Sequence, residues 1–166
     1  MSRQQRAWKH EHGFTLMEVM ATIVIMGIVL AIASSSWFGA VESRRVDSAT
    51  NQVVADLRLA HSQATNRLTD TSLVVPADTV PAGVDPLSTY QVGPPGDIET
   101  RILPGDDQGT PQTKILADTT ITFHSDGSAE IDPAGDITVT TTDGDPDDPF
   151  HTINVNTVTS RIEVVP

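Results

Sequence analysis

The carboxylate of Glu18 is the side chain in this sequence whose position most strongly indicates specific chemistry. Residues 14–33 read FTLMEVMATIVIMGIVLAIA, and Glu18 is the single charge among these twenty residues. A carboxylate costs about 2.5 to 3.5 kcal/mol at the centre of a bilayer and less toward its edge, so its presence there indicates a function. A simpler alternative is a helix-end charge, because the helix dipole stabilises acids near an N-terminus.

A second cluster of oxygen ligands lies in residues 142–150, which read TDGDPDDPF. Alternate aspartates can surround a hard cation such as calcium. The glycine and the terminal glutamate of an EF-hand loop are out of place, however, and a solvated acidic loop is the commoner arrangement. We therefore predict no cofactor and no metal site. The calcium candidates, should a site exist, are Asp143, Asp145, Asp147 and Asp148.

The residue types of a hydrolytic triad occur together in His124, Ser125 and Asp126. Neighbours in sequence point apart on a strand or turn, so these three are not expected to form one. His61 and His151 lie near no nucleophile in any recognisable motif, and the chain has no cysteine. We predict that the protein is not an enzyme.

Charge is distributed unevenly along the 166 residues, whose net charge is -12. The first 13 residues contain Arg3, Arg6 and Lys9 against one acid, Glu11. The remainder has 7 basic and 21 acidic residues, a difference of -14. Such an acidic region repels the phosphate backbone of nucleic acids, so nucleic acid is an unfavourable partner.

The apolar run is long enough to cross a membrane, since a twenty-residue helix spans roughly 30 Å. The basic segment before it favours a cytoplasmic N-terminus. Two interpretations follow. An ordinary signal peptide would be cut behind small residues, and Ala31-Ile32-Ala33 before Ser34 fits that pattern. Alternatively, the cut precedes the apolar run, which then stays on the mature protein together with Glu18.

The string Gly13-Phe14-Thr15-Leu16-Met17-Glu18 favours the second interpretation. It resembles the prepilin peptidase recognition motif of type IV pilins and type II secretion pseudopilins. The resemblance implies cleavage after Gly13, N-methylation of Phe14 and retention of Glu18. It also gives the carboxylate a partner, the free amine of Phe14 on a neighbouring subunit. A buried pair of this kind adds little net stability but can set register.

The chain beyond the apolar run predicts an α+β, pilin-like fold. Val46, Ala49, Val53, Leu57, Ala60, Ala64 and Leu68 follow helical spacing. One helix is therefore predicted from about Phe14 to about Leu68, its C-terminal half packed on an antiparallel β-sheet. Short Val-, Ile- and Thr-rich runs then predict strands at 72–75, 89–92, 100–103, 114–117, 120–124, 136–142, 151–158 and 161–165. A hairpin turn is predicted at Asp126-Gly127 and a final hairpin over 153–165. The predicted domains are a leader 1–13, an apolar half-helix 14–42 and a globular domain 43–166.

The globular part carries a second, weaker resemblance. Residues 49–67, the ITFHSDGS segment at 121–128 and the hairpin at 153–164 resemble the GspH/FimT-type minor pseudopilins, although their usual Thr-Gly turn reads Thr159-Ser160 here. The resemblance implies a minor subunit of a type II secretion pseudopilus or a type IV pilus. Its implied partners are other pilins, the prepilin peptidase and the inner-membrane assembly platform.

Localisation follows from the same argument. We expect a single-pass protein of the inner membrane with a cytoplasmic N-terminus, which later enters a filament in the periplasm or at the cell surface. Two other functions stay open at this point. One is a secreted β-rich binding domain released after Ala33, and the other is a DNA-binding minor pilin.

Overall fold

The protein has one long helix, α1, which spans Leu16–Arg67. The computed structural model describes residues 14–76, 79–105, 112–141 and 148–165. Contacts divide the chain into two compact units, Met1–Gly39 and Ala40–Pro166.

The predicted helix is confirmed, but the placing of Leu68 in its buried stripe is wrong. Leu68 follows the helix end with a φ of 53°, and 76% of it is exposed.

The described part of the first unit is mainly the apolar part of α1. Leu16–Ala33 is long and apolar enough to cross a membrane, and none of this segment is buried within the chain. An apolar surface of this length is unstable in water. The segment therefore requires a lipid or protein environment that the described part of the chain does not provide.

The second unit buries the stripe predicted on α1. Six of its seven predicted residues are fully buried: Val46, Ala49, Val53, Leu57, Ala60 and Ala64. They share one core with strand residues such as Leu73, Ile121 and Phe123. The periodicity is thus confirmed as the core-facing side of the helix.

Nine strands in two antiparallel sheets complete the second unit within the described residues. The strands are β1 Thr71–Val75, β2 Thr89–Gly93, β3 Glu99–Ile102, β4 Thr113–Leu116, β5 Thr119–Phe123, β6 Ala129–Asp132, β7 Ile137–Thr141, β8 Phe150–Val155 and β9 Ile162–Val165. One sheet has the order β3-β2-β1-β5-β6, and the other has the order β4-β7-β8-β9. The predicted α+β fold is therefore observed, with its strands divided between two sheets.

Both predicted hairpins are present. Gly127 has a φ of 88° and donates its N–H to the carbonyl of His124 at 3.0 Å, closing the turn between β5 and β6. Strand β6 was not among the predicted strands. In the last hairpin Ile153 lies opposite Val164, but Val158 is in the turn and 82% exposed, so its expected place on the strand is wrong.

A polar cluster joins α1 to the first sheet. The Tyr90 hydroxyl on β2 donates to Asp56 Oδ2 at 2.6 Å and accepts from Gln52 Nε2 at 3.0 Å. Gln52 also donates to the carbonyl of Ile102 at 3.1 Å. Burial raises the pKa of Tyr90, and its hydrogen bond to Asp56 raises it further, so the phenol stays protonated as a donor. The cluster fixes the helix against β2 and β3.

Candidate assembly site at the start of the apolar helix

Thr15 caps the N-terminus of α1. Its hydroxyl oxygen accepts the backbone N–H of Glu18 at 3.2 Å, and its carbonyl accepts the N–H of Val19 at 3.2 Å. A threonine three residues before a glutamate is the pattern of a capping box. The cap starts the helix at Leu16 and places Glu18 in its first turn.

The Glu18 side chain is exposed and forms no ion pair among the residues that the structure describes. The unsatisfied N–H groups of the first turn create a positive potential that stabilises a carboxylate at this position. Its carboxylate oxygens nevertheless remain available to another molecule. The helix-end explanation and the assembly explanation are therefore compatible, since the dipole stabilises the carboxylate until a partner arrives.

Three of the residues around Glu18 are apolar and exposed. Phe14 is 83% exposed, Leu16 80% and Met17 77%. Gly13, the residue before the predicted cut, lies outside the described residues, as does the rest of the leader. The site thus combines one acid with a wide apolar surface, which suits packing against a second apolar helix that brings a positive charge.

His124, Ser125 and Asp126 do not form a catalytic array. His124 Nδ1 lies 3.1 Å from Asp70 Oδ2, and its Nε2 lies 3.6 Å from Glu130 Oε2. Asp126 instead accepts the N–H of Ser128 at 2.9 Å within the turn. The hydrogen bond to Asp70 raises the pKa of His124, and the charges of Asp70 and Asp126 add to this.

The other two histidines named above have structural neighbours. His61 meets Phe123 edge to face at 5.4 Å between ring centroids. His151 Nε2 lies 2.7 Å from Asp47 Oδ1 and so connects β8 to α1. Sequence reasoning missed this last contact because it joins residues 104 positions apart. It also missed the cap at Thr15, although the Thr-x-x-Glu spacing was a sufficient signal for it.

The calcium candidates fall largely outside the described residues, which exclude Asp143, Asp145 and Asp147. Asp148 is described, and its carboxylate accepts the hydroxyl of Thr141. In the parts of the chain that are described, no three acidic or histidine side chains come together as a metal site would require. The prediction about calcium stays a prediction.

A capped apolar helix with a lone acid in its first turn, followed by an antiparallel β domain, is the architecture of pilin-like proteins. Comparison with known families agrees with this class. Residues 8–34 match the prokaryotic N-terminal methylation motif, and residues 49–159 match the family described as type II transport protein GspH.

A search of curated proteins gives no match. Among solved structures, the chain is similar to the type IV minor pilin FimU of Pseudomonas aeruginosa strain PAO1, with 18% identity and a TM-score of 0.47 over 72% of this chain and 92% of that one.

The GspH match covers two thirds of the sequence, so the chain belongs to the GspH family. It is a minor pilin or pseudopilin, as its two resemblances predicted. The methylation motif and the exposed apolar helix fit a pilin that is anchored in a membrane.

Proposed function

We propose that this protein is a filament subunit that is cut after Gly13, N-methylated on Phe14 and joined to its neighbours through Glu18. The chain serves as a structural component rather than as a catalyst, and the chemistry of maturation belongs to the prepilin peptidase. The precursor spans the inner membrane with its N-terminus in the cytoplasm. The mature subunit then passes through the assembly platform into a pseudopilus or pilus.

The observation that carries the proposal is the exposed Glu18 carboxylate in the first turn of an exposed apolar helix. Cleavage after Gly13 would create an amine at the same end of the helix, on Phe14. When apolar helices of two subunits pack together, each unpaired charge would lose its water. Pairing the Glu18 carboxylate with a neighbour's amine removes this cost and selects one axial register.

The pair can be tested with the variants Glu18→Ala and Glu18→Gln in the full chain. Both should be cut normally but should enter filaments poorly, because removing one member of a buried pair costs about 3–5 kcal/mol. Gln keeps the size of the side chain but not its charge, so it should be nearly as harmful as Ala. The measurement is the fraction of matured subunit in sheared filaments, with the membrane-bound subunit as reference.

Thr22→Val is the matched control. Thr22 lies one turn further along the same helix, and its hydroxyl donates to the carbonyl of Val19 at 2.8 Å. The variant removes a polar group from the apolar segment without removing a charge, so incorporation should be normal. Wild-type incorporation of both Glu18 variants would overturn the proposed pairing and leave Glu18 as a helix-end charge.

A further inference from the structure

Aromatic side chains lie on both sides of the apolar run and are absent from it. Phe14 precedes the run, Trp37 follows it, and residues 15–36 contain no aromatic residue. Phe14 is 83% exposed and Trp37 is 70% exposed. The large exposed apolar side chains between them are those of Leu, Met, Val and Ile. Tryptophan is enriched at membrane–water interfaces, because its ring is apolar and its N–H is polar.

Charge alone does not define where the apolar helix leaves the hydrocarbon of a membrane. After Glu18 the next charged residue is Glu42, so residues 19–41 carry no charge. A helix of that length extends about 35 Å, whereas the hydrocarbon core of a bilayer is about 30 Å thick. The far boundary therefore falls within this uncharged stretch. Trp37 is the residue in the stretch whose side chain combines an apolar ring with a polar N–H.

The distance from Glu18 to Trp37 matches the thickness of the hydrocarbon core. Both residues belong to the first unit and lie on the same helix, α1. They are 19 positions apart, which corresponds to about 28 Å along the helix axis. One interface can therefore hold the carboxylate while the other interface holds the indole.

We propose that Glu18 and Trp37 mark the two boundaries of the membrane-embedded segment, and that Trp37 binds the lipid headgroup region on the side away from the N-terminus. The indole ring packs against the upper acyl chains, and its N–H donates to ester or phosphate oxygens of the lipid. Among the described residues Trp37 forms no hydrogen bond, so this donor is available to lipid.

These boundaries give the Glu18 carboxylate a different environment before and after assembly. In the membrane it lies at an edge of the bilayer, where a charge costs less than at the centre. It therefore keeps its contact with water while the chain is a membrane protein. The carboxylate loses that water only when the apolar helices of subunits pack together, which is the step at which it requires a partner.

The inference rests on the proposed function in one respect, because only a chain that spans a membrane has two such boundaries. It does not depend on the cut after Gly13 or on the pairing of Glu18 with a neighbour. The tests use the uncut full chain in membranes without a prepilin peptidase. Failure of the boundaries and failure of the proposed maturation can therefore be distinguished.

Tryptophan fluorescence measures the depth of Trp37. The full chain has two tryptophans, so the variant Trp8→Phe leaves Trp37 as its single tryptophan. The variant is placed in vesicles of phosphatidylethanolamine and phosphatidylglycerol that also contain a phosphatidylcholine brominated either near the headgroup or near the methyl end of the acyl chain. Quenching by the lipid brominated near the headgroup should be several-fold stronger.

Two variants that also carry Trp8→Phe and Trp37→Phe calibrate this measurement. Ile28→Trp, about midway between the two boundaries, should be quenched more strongly by the lipid brominated near the methyl end. Val158→Trp, at the exposed turn of the last hairpin, should be quenched by neither lipid. Three results for Trp37 would overturn the proposal: equal quenching by both lipids, stronger quenching from the methyl end, or no quenching.

Cysteine labelling tests the boundary at Glu18. The chain has no cysteine, so Met17→Cys and Ile25→Cys each introduce a single thiol. Both positions are exposed on α1. In vesicles opened so that both faces are accessible, a membrane-impermeant maleimide should label Met17→Cys several-fold more than Ile25→Cys. Equal labelling would overturn this boundary, even in a chain that a prepilin peptidase still cuts after Gly13.

Discussion

At the scale of single residues, the polar groups that matter most lie where helix and sheet meet. Tyr90, Asp56 and Gln52 hold α1 against β2 through hydrogen bonds of 2.6 and 3.0 Å. Among the described residues, the only charged side chain that pairs with Asp56 is Arg101, whose Nε lies 3.9 Å from Asp56 Oδ2. The Tyr90 hydroxyl is therefore the main partner of a partly buried carboxylate.

Tyr90→Phe removes that hydroxyl and leaves Asp56 without its short hydrogen bond. We expect the free energy of unfolding to fall by about 1–3 kcal/mol, the cost of an unsatisfied buried polar group. Denaturant unfolding followed by far-UV circular dichroism measures it. A double-mutant cycle with Asp56→Ala should show that the two effects are coupled. Strictly additive losses would contradict the assigned contact.

His124 should make the stability of the domain depend on pH. Its pKa in the folded state is raised by the hydrogen bond to Asp70, with the neighbouring acids adding to the effect. The His124 imidazole thus binds a proton more tightly in the folded chain than in the unfolded chain. The resulting stabilisation is complete below the unfolded pKa of about 6.5 and is lost as pH rises through the higher folded pKa.

The measurement for His124 is the melting temperature of the wild type and of His124→Gln across that range of pH. The difference between the two proteins should be largest at the acidic end and should shrink as pH rises. The other four histidines of the chain are present in both proteins, so the comparison isolates the effect of His124. A difference that stays constant with pH would show that the Asp70 contact does not favour the charged imidazole.

At the scale of elements, α1 was predictable from sequence and the pairing of the strands was not. The helical spacing of apolar residues involves positions only three or four apart, and the buried stripe from Val46 to Ala64 shows this spacing directly. Strand β6 escaped prediction because its four residues, AEID, include two acids and end against Pro133. The division into two sheets depends on long-range pairing, such as that of β1 with β5, for which local sequence has no signal.

The same distinction applies to the candidate site. The residues from Gly13 to Glu18 are consecutive, so the motif is visible in the sequence itself. The cleavage after Gly13, the N-methylation of Phe14 and the pairing of Glu18 stay predictions. Contacts between distant residues, such as His151 with Asp47, became visible only in the folded chain. A site formed by residues close in sequence is therefore predictable here, whereas a contact between residues distant in sequence is not.

Leu57 and Leu59 provide a matched test of which face of α1 is buried. Leu57 is fully buried, whereas Leu59 is 46% exposed. Leu57→Ala should lower the free energy of unfolding by about 2–5 kcal/mol, through lost burial and the cavity left behind. Leu59→Ala removes the same atoms from a partly solvated position and should cost well under half as much. Equal losses in denaturant unfolding would contradict the helix orientation described above.

At the scale of the whole molecule, the two units of the chain meet different requirements. The second unit buries its own apolar core, while none of the apolar helix of the first unit is buried among the residues that the structure describes. Nothing in the described part of the chain covers this helix, and its length and composition suit a membrane. Membership of the GspH family and the exposed apolar helix thus both indicate that the protein functions as part of an assembly.

The mass of the mature protein distinguishes a retained N-terminal helix from a discarded signal peptide. The full chain is co-expressed with a prepilin peptidase and analysed by intact-mass spectrometry, with Gly13→Leu as the uncut control. We expect a product that begins at N-methylated Phe14 and retains the apolar helix with Glu18. A mature protein that begins at Ser34 would overturn the proposed role as a filament subunit, because the helix and Glu18 would then have been discarded with a signal peptide.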